Sequence, residues 1–355
     1  MASLSSCFAI ATVCILSVLI KARATVPIFV FGDSLADNGN NNNLNVPLLD
    51  KSNFAHNGID FPGRIATGRF SNGFNGVDYI ARFLGFPIGP PPYSSITKPN
   101  QMLRGVNFAS AGSGIQDYTG PGTINMTTQI KNFQKVAQVL RQMLGQSQAE
   151  HTIATSIFII VTANNDMFEY YFATGAANAA SNDQFINNLA DRFIQHLMSL
   201  YNSGARNFYI AGTGHLGCVP FLTSKNPAGT CIDTLNQLSM KYNTIASARV
   251  SQLSSRLQGM RYSYSNIYRM TSDIIESPTL FGIADVQNAC CGDGKFNGEV
   301  QCTANVTYCH NRNDHFYWDW FHPTQAIYRI TSQMAFFGSL IYSTPISIQQ
   351  LVMGI

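Results

Sequence analysis

The stretch Pro27-Ile28-Phe29-Val30-Phe31-Gly32-Asp33-Ser34-Leu35-Ala36-Asp37-Asn38-Gly39-Asn40 decides how the chain folds. An apolar run closed by glycine suits the central strand of a parallel sheet, buried on both faces. A tight Gly32-Asp33-Ser34 turn follows. In open α/β sheets, ligands bind just beyond the carboxyl ends of such strands. A serine there is presented to a ligand rather than packed away. A plainer reading stands beside it, in which Asp33 and Ser34 only form the turn or cap the next helix.

Outward from that run, strands and helices alternate. Ser156-Ile157-Phe158-Ile159-Ile160-Val161, Asn207-Phe208-Tyr209-Ile210-Ala211-Gly212 and Arg261-Tyr262-Ser263-Tyr264-Ser265 read as strands. Helices are predicted over 72–84, where Phe74, Val77, Ile80, Ala81 and Leu84 share helical spacing, and over 128–144. Another starts at the capping-box pattern Ser181-Asn182-Asp183-Gln184 and ends at Gly204. Two more span 233–258 and 323–341, the last opened by Pro323 at its first position. Residues 38–45 and 54–72 read as polar and Gly/Pro-rich loops. Strand-helix alternation argues for a parallel sheet covered on both faces, an α/β fold. With no linker or internal repeat, one domain over 25–355 is expected.

The first 24 residues read as a segment removed from the mature chain. Residues 8–20 are apolar but shorter than the roughly 20 residues a membrane-spanning helix needs. Ala22-Arg23-Ala24 fits a small-x-small cleavage site, so the mature chain is expected to begin at Thr25, with an uncleaved anchor as the alternative. Six cysteines then remain, Cys218, Cys231, Cys290, Cys291, Cys302 and Cys309, an even number that suggests disulfides in an exported chain. Cys218 and Cys231 flank a short loop and suit each other. Adjacent Cys290 and Cys291 do not readily bond each other, so each reaches elsewhere, and the pairing stays open. A zinc site is the alternative, although the spacing lacks paired C-x-x-C knuckles. Asn125-Met126-Thr127 and Asn305-Val306-Thr307 are glycosylation sequons, which fit export. The net charge of +3 falls to +1 once Lys21 and Arg23 are removed, and no basic cluster is present to follow a nucleic-acid backbone.

Chemistry can be assigned to three places. A serine hydroxyl needs a base within hydrogen-bond reach, and the base works better when a carboxylate fixes its tautomer. Among the histidines, His322 in Phe316-Tyr317-Trp318-Asp319-Trp320-Phe321-His322-Pro323-Thr324 stands out, with Asp319 three residues before it. That spacing lets a tight turn join carboxylate and imidazole. Read alone, it fits equally a capped turn with an aromatic-loop histidine. An oxyanion also needs donors. Two loops could supply them: Gly105-Val106-Asn107-Phe108-Ala109-Ser110-Ala111-Gly112-Ser113-Gly114, with small residues, and Thr162-Ala163-Asn164-Asn165-Asp166 after a strand. Each alone is also an ordinary turn.

Taken together and in order, Gly32-Asp33-Ser34-Leu35, Asn107-x-Ala109-Ser110-x-Gly112, Asn165-Asp166 and Asp319-x-x-His322 resemble the plant branch of the GDSL esterase/lipases, the SGNH hydrolases. Thr67-Gly68-Arg69-Phe70-Ser71-Asn72-Gly73, Gly217-Cys218-Val219-Pro220 and Cys290-Cys291-Gly292 extend the resemblance over most of the chain. It implies a three-layer α/β/α, flavodoxin-like fold with a mainly parallel sheet of about five strands. It implies Ser34 as nucleophile, His322 as general base then acid, and Asp319 as its orienting carboxylate. Oxyanion donors would be the Ser34 and Gly112 backbones and the Asn165 side chain, with no metal or cofactor. Asp33 is then structural. Two positions depart from the family pattern: Ala163 stands where it usually has Gly, and His215 where most relatives have Pro.

The expected activity is therefore that of a secreted, monomeric esterase or lipase acting on an ester small molecule or lipid through an acyl-enzyme. Acyl transfer at the same site, a non-catalytic extracellular binding protein and metal-dependent phosphoester hydrolysis by Asp33, Asp319 and His322 are the alternatives.

Overall fold

In the computed structural model, which describes residues 26–354, the opening run is strand β1 (Ile28–Gly32), buried along its whole length. It pairs in parallel with β2 (Gly105–Asn107) on one side and β3 (Ile157–Val161) on the other. Beyond β3 come β4 (Asn207–Ala211) and β5 (Arg261–Ser265), also parallel. A two-residue strand, β6 (Ser343–Thr344), closes the far edge antiparallel to β5. The main sheet thus has six strands in the order β6-β5-β4-β3-β1-β2, one more than expected. The proposed signal segment lies outside the described residues.

Alternation along β1 assigns the two faces. Phe29 and Phe31 point into one core with Phe133 and Phe158. That face is covered by α2 (Met126–Leu144), α3 (Gln146–Thr155), α5 (Ala179–Asn202) and α7 (Asp233–Arg256). Phe133 meets the Phe29 and Phe158 rings edge-on at 5.0 and 5.2 Å, a favoured aromatic geometry. Ile28 and Val30 point into the other core, under α1 (Gly76–Phe83), α8 (Ile267–Glu276), α9 (Gln325–Phe337) and α10 (Ile348–Met353). The result is the expected three-layer α/β/α arrangement.

Several boundaries differ from the sequence reading, each for a local reason. Helix α1 begins at Gly76 rather than residue 72, because Asn75 and Asp78 form a reciprocal capping box. Asn125 caps α2, which begins at Met126, two residues ahead of the expected start. Asn178, not Ser181, caps α5, so the Ser181-Asn182-Asp183-Gln184 pattern lies inside the helix. Helix α7 stops at Arg256, ahead of Gly259. Thr324 caps α9, which leaves Pro323 outside, and α9 ends at Phe337. Two elements replace expected loops: residues 105–107 form strand β2, and Asn164-Asn165-Asp166 opens helix α4 (Asn164–Thr174).

Between α8 and α9 the chain makes a long excursion that delivers Asp319 and His322. Two small sheets brace it: Asp285–Ala289 beside His315–Tyr317, and Cys291–Gly292 beside Thr307–Tyr308. Disulfides Cys290–Cys309 and Cys291–Cys302 tie the same segment, and Cys218–Cys231 closes the loop after β4. Elsewhere the buried Arg69 guanidinium grips Asp78 at 2.7 and 2.9 Å, joining the 54–72 loop to α1. Removing either partner would leave an uncompensated buried charge.

Gly32 ends β1 at φ 136°, and a Cβ there would lie 1.7 Å from the Val161 carbonyl oxygen. Backbone cannot yield that much without parting β1 from β3. Gly32→Ala is therefore expected to destabilise by more than about 3 kcal/mol or to prevent folding. Thermal melting and soluble yield measure this, and a wild-type melting curve would refute it.

Candidate active site

Ser34 lies two residues past the end of β1, where the chain must leave the sheet. The turn is held from within: Asp33 donates its N–H to the Val161 carbonyl, while its carboxylate accepts from the Leu35 N–H at 3.0 Å and from Asn164 Nδ2 at 2.9 Å. Asp33 is thus a structural member of the turn, as expected. One residue absent from the sequence reading does as much. Gln129, buried on α2, accepts from the Gly32 N–H at 2.8 Å and donates to the Gly32 carbonyl at 2.9 Å. It completes the last ladder position of β1. A glutamine in an amphipathic helix looks like a solvent-facing residue, so its sequence carries no signal of this.

His322 reaches the serine from the opposite end of the chain. Its Nε2 is 2.9 Å from Ser34 Oγ, and its Nδ1 is 2.8 and 3.0 Å from the two Asp319 carboxylate oxygens. The nitrogen facing a carboxylate carries the proton, which leaves Nε2 as an acceptor toward the serine hydroxyl. Asp319 is fixed in turn by the Phe321 and His322 N–H groups at 2.9 and 2.8 Å. The Phe70 ring packs on the imidazole with centroids 4.6 Å apart. The three-residue spacing does form the tight turn that the sequence permits.

The two candidate donor segments line the same cavity as Ser34. The backbone N–H groups of Ser34 and Gly112 make no hydrogen bond among the described residues. Asn165 donates one amide hydrogen to the Ser113 carbonyl at 2.9 Å, which orients the amide and leaves its second hydrogen free to donate. Buried polar side chains hold these segments. Asp37 accepts from the Gly39, Asn40 and Ala111 N–H groups. Asn40 donates to the Asn107 and Ala109 carbonyls, and Asn41 to that of Ala111. Asp166 accepts from Ile115 N, Gln116 N and Thr119 Oγ1. The asparagine-rich 38–45 segment is therefore scaffolding for the Gly112 loop. Ala163 takes the glycine-like φ of 86° just before α4.

Ser34, Gly112, Asn165 and His322 open into one cavity of 480 Å³. Its lining includes the aromatic Phe168, Phe172 and Trp320 and the carboxylates Asp50 and Glu169. Burial, with Glu169 nearby, pushes the Asp50 carboxyl up to about 6. His215 stands apart from the Ser34–His322 pair. Its ring nitrogens engage Thr271 Oγ1 at 2.8 Å and Ser272 Oγ at 3.2 Å. Of the two sequon asparagines, Asn125 caps α2 by accepting from the Thr128 N–H, and Asn305 is exposed between Cys302 and Cys309. Among the described residues, no three His, Cys, Asp or Glu side chains group to hold a metal ion, and no helix is long and apolar enough to cross a membrane.

Burial pushes the Asp33 carboxyl up to about 6, the Asn164 and Leu35 hydrogen bonds opposing it. The folded chain therefore takes up this proton before the unfolded chain does. The contribution is fully present below the ordinary carboxylate range near 4 and is lost as pH rises through about 6. Buried His215, lowered to about 4, acts in the opposite sense, so the test is a difference. Asp33→Asn should make stability at pH 5 relative to pH 7.5 less favourable than in wild type. Parallel denaturant titrations at the two pH values measure it, and an unchanged difference would contradict the assignment.

The family model described as GDSL-like Lipase/Acylhydrolase matches residues 28–333. Three Arabidopsis thaliana proteins, each named a GDSL esterase/lipase, are similar over nearly the whole chain. One is 38% identical over 330 residues, covering 91% of this chain and 85% of that protein. A second is 36% identical over 343 residues, covering 93% and 90%. The third is 35% identical over 344 residues, covering 94% and 91%.

Proposed function

Because the chain belongs to the GDSL-like lipase/acylhydrolase family and is a carboxylic ester hydrolase, we propose that it works through an acyl-enzyme on Ser34. The observation that carries this reading is the unbroken hydrogen-bond chain from Ser34 Oγ through His322 to Asp319. It ends in a cavity that also holds Gly112 and Asn165.

In this reading Ser34 Oγ attacks the ester carbonyl carbon as its proton passes to His322 Nε2. Asp319 holds the imidazole and stabilises its positive charge. The carbonyl oxygen becomes an oxyanion, met by the Ser34 and Gly112 N–H groups and by Asn165 Nδ2. These donors are fixed before the charge appears, so little reorganisation is needed. Collapse expels the alcohol, which takes the proton from His322. Water then attacks the acyl-serine by the same route in reverse, and the carboxylic acid leaves.

The surrounding proposals are consistent with export. Residues 1–24 act as a signal peptide, and 25–355 form one secreted, monomeric domain. Asn125 and Asn305 carry glycans, and the three disulfides suit an oxidising compartment.

Ser34→Ala is expected to abolish both p-nitrophenyl acetate hydrolysis and labelling by a fluorophosphonate, with an unchanged circular dichroism spectrum. Retained hydrolysis would overturn the reading. Asn165→Ala should lower kcat by about 10²–10³, and Asp319→Asn by roughly 10⁴, in steady-state assays on the same ester.

A further inference from the structure

A second cavity lies behind Ser34, between the sheet and the helices of the other layer. We propose that this cavity receives the hydrocarbon end of the acyl chain, so that the enzyme prefers esters of acids of about six carbons over acetates. The inference rests on the acyl-enzyme reading above and adds the substrate class.

Four residues, Leu35, Leu216, Val219 and Phe321, wall both this cavity and the one that opens on Ser34. The two spaces are therefore neighbours across a single layer of apolar side chains, and Leu35 directly follows the serine. The floor includes Ile159 and Tyr209 from the sheet, and the roof Val77 and Ile327 from α1 and α9. At 150 Å³ the space is large enough for a benzene-sized apolar guest. That suits the last few carbons of a chain whose carbonyl sits at Ser34.

Most of its polar side chains are already engaged. His215 is bonded through both nitrogens, Thr331 Oγ1 donates to the Ile327 carbonyl at 2.8 Å, and Ser332 Oγ donates to that of Gly76 at 3.3 Å. No Asp, Glu, Lys or Arg lines it. Water would find few partners there, and a hydrocarbon displaces it at no polar cost. Burial keeps His215 uncharged near neutral pH. The front cavity adds the polar groups Asp50, Glu169, Asn164 and Asn165 to its aromatic lining. That chemistry suits the alcohol half of the ester, which must also leave first. The acyl half stays until water attacks, so an apolar recess without charged groups serves it better.

The test compares kcat/KM for p-nitrophenyl acetate, butyrate, hexanoate and octanoate, and for alkyl acetates of rising alcohol length. Each buried methylene is worth about fourfold in binding. Wild type should gain at least about tenfold from acetate to hexanoate, with little gain along the alcohol series. Gly214→Leu fills the recess. A Cβ there meets Ile267 Cγ2 at 3.5 Å and Thr271 Oγ1 at 3.6 Å, ordinary contacts. It should cut the hexanoate-to-acetate ratio at least about tenfold, and Val77→Phe should do the same from the roof, with melting curves confirming that each is folded. A flat acyl series, a gain along the alcohol series instead, or an unchanged ratio in either folded variant overturns the inference. If Ser34→Ala is meanwhile inactive on every ester, the acyl-enzyme reading survives that failure. If it is active, the reading itself has failed.

Discussion

Strand β1 has to stop at Gly32, and a strand that stops inside a protein leaves backbone groups in need of partners. The Gln129 side-chain amide answers that need by bonding both the N–H and the carbonyl of Gly32. With the ladder closed there, the next peptide is free to turn, and Asp33 anchors it to Val161. The serine hydroxyl owes its position to this termination. The Asp37 and Asp166 clusters in turn hold the segment around Gly112.

Those clusters share one design. A buried carboxylate gathers backbone N–H groups from a segment without regular structure and so does the work of a hydrogen-bond ladder. Burial raises the carboxyls of Asp33, Asp37 and Asp166 against the pull of those bonds. The fold accepts that cost where loops must hold a fixed shape without a strand or helix to hold it.

Strands β1, β3, β4 and β5 were legible because buried parallel strands are short apolar or aromatic runs. Strands β2 and β6, of three and two residues, are too short for any period to register. Asn164-Asn165-Asp166 reads as a turn because its residues favour turns, yet the left-handed Ala163 launches a helix from it. Ser181 and Pro323 misplaced two helix starts, since Asn178 and Thr324 competed for the cap and won. The Cys218–Cys231 pair followed from a short intervening loop. Pairing among the other four cysteines depends on two small sheets with no sequence period. Ser34, Gly112, Asn165, Asp319 and His322 were identified from motifs. Gln129, Asp37 and the buried asparagines were not, because a polar side chain that bonds distant backbone leaves no local pattern.

Ser34 and His322 are separated by 288 positions, and their atoms meet only because the excursion after α8 carries the chain back across the sheet. A growing polypeptide therefore holds the hydroxyl from early in its synthesis and lacks the imidazole until almost all of it has been made. A product of synthesis interrupted between residues 265 and 322 contains β1 to β5 and the hydroxyl but not the imidazole that pairs with it.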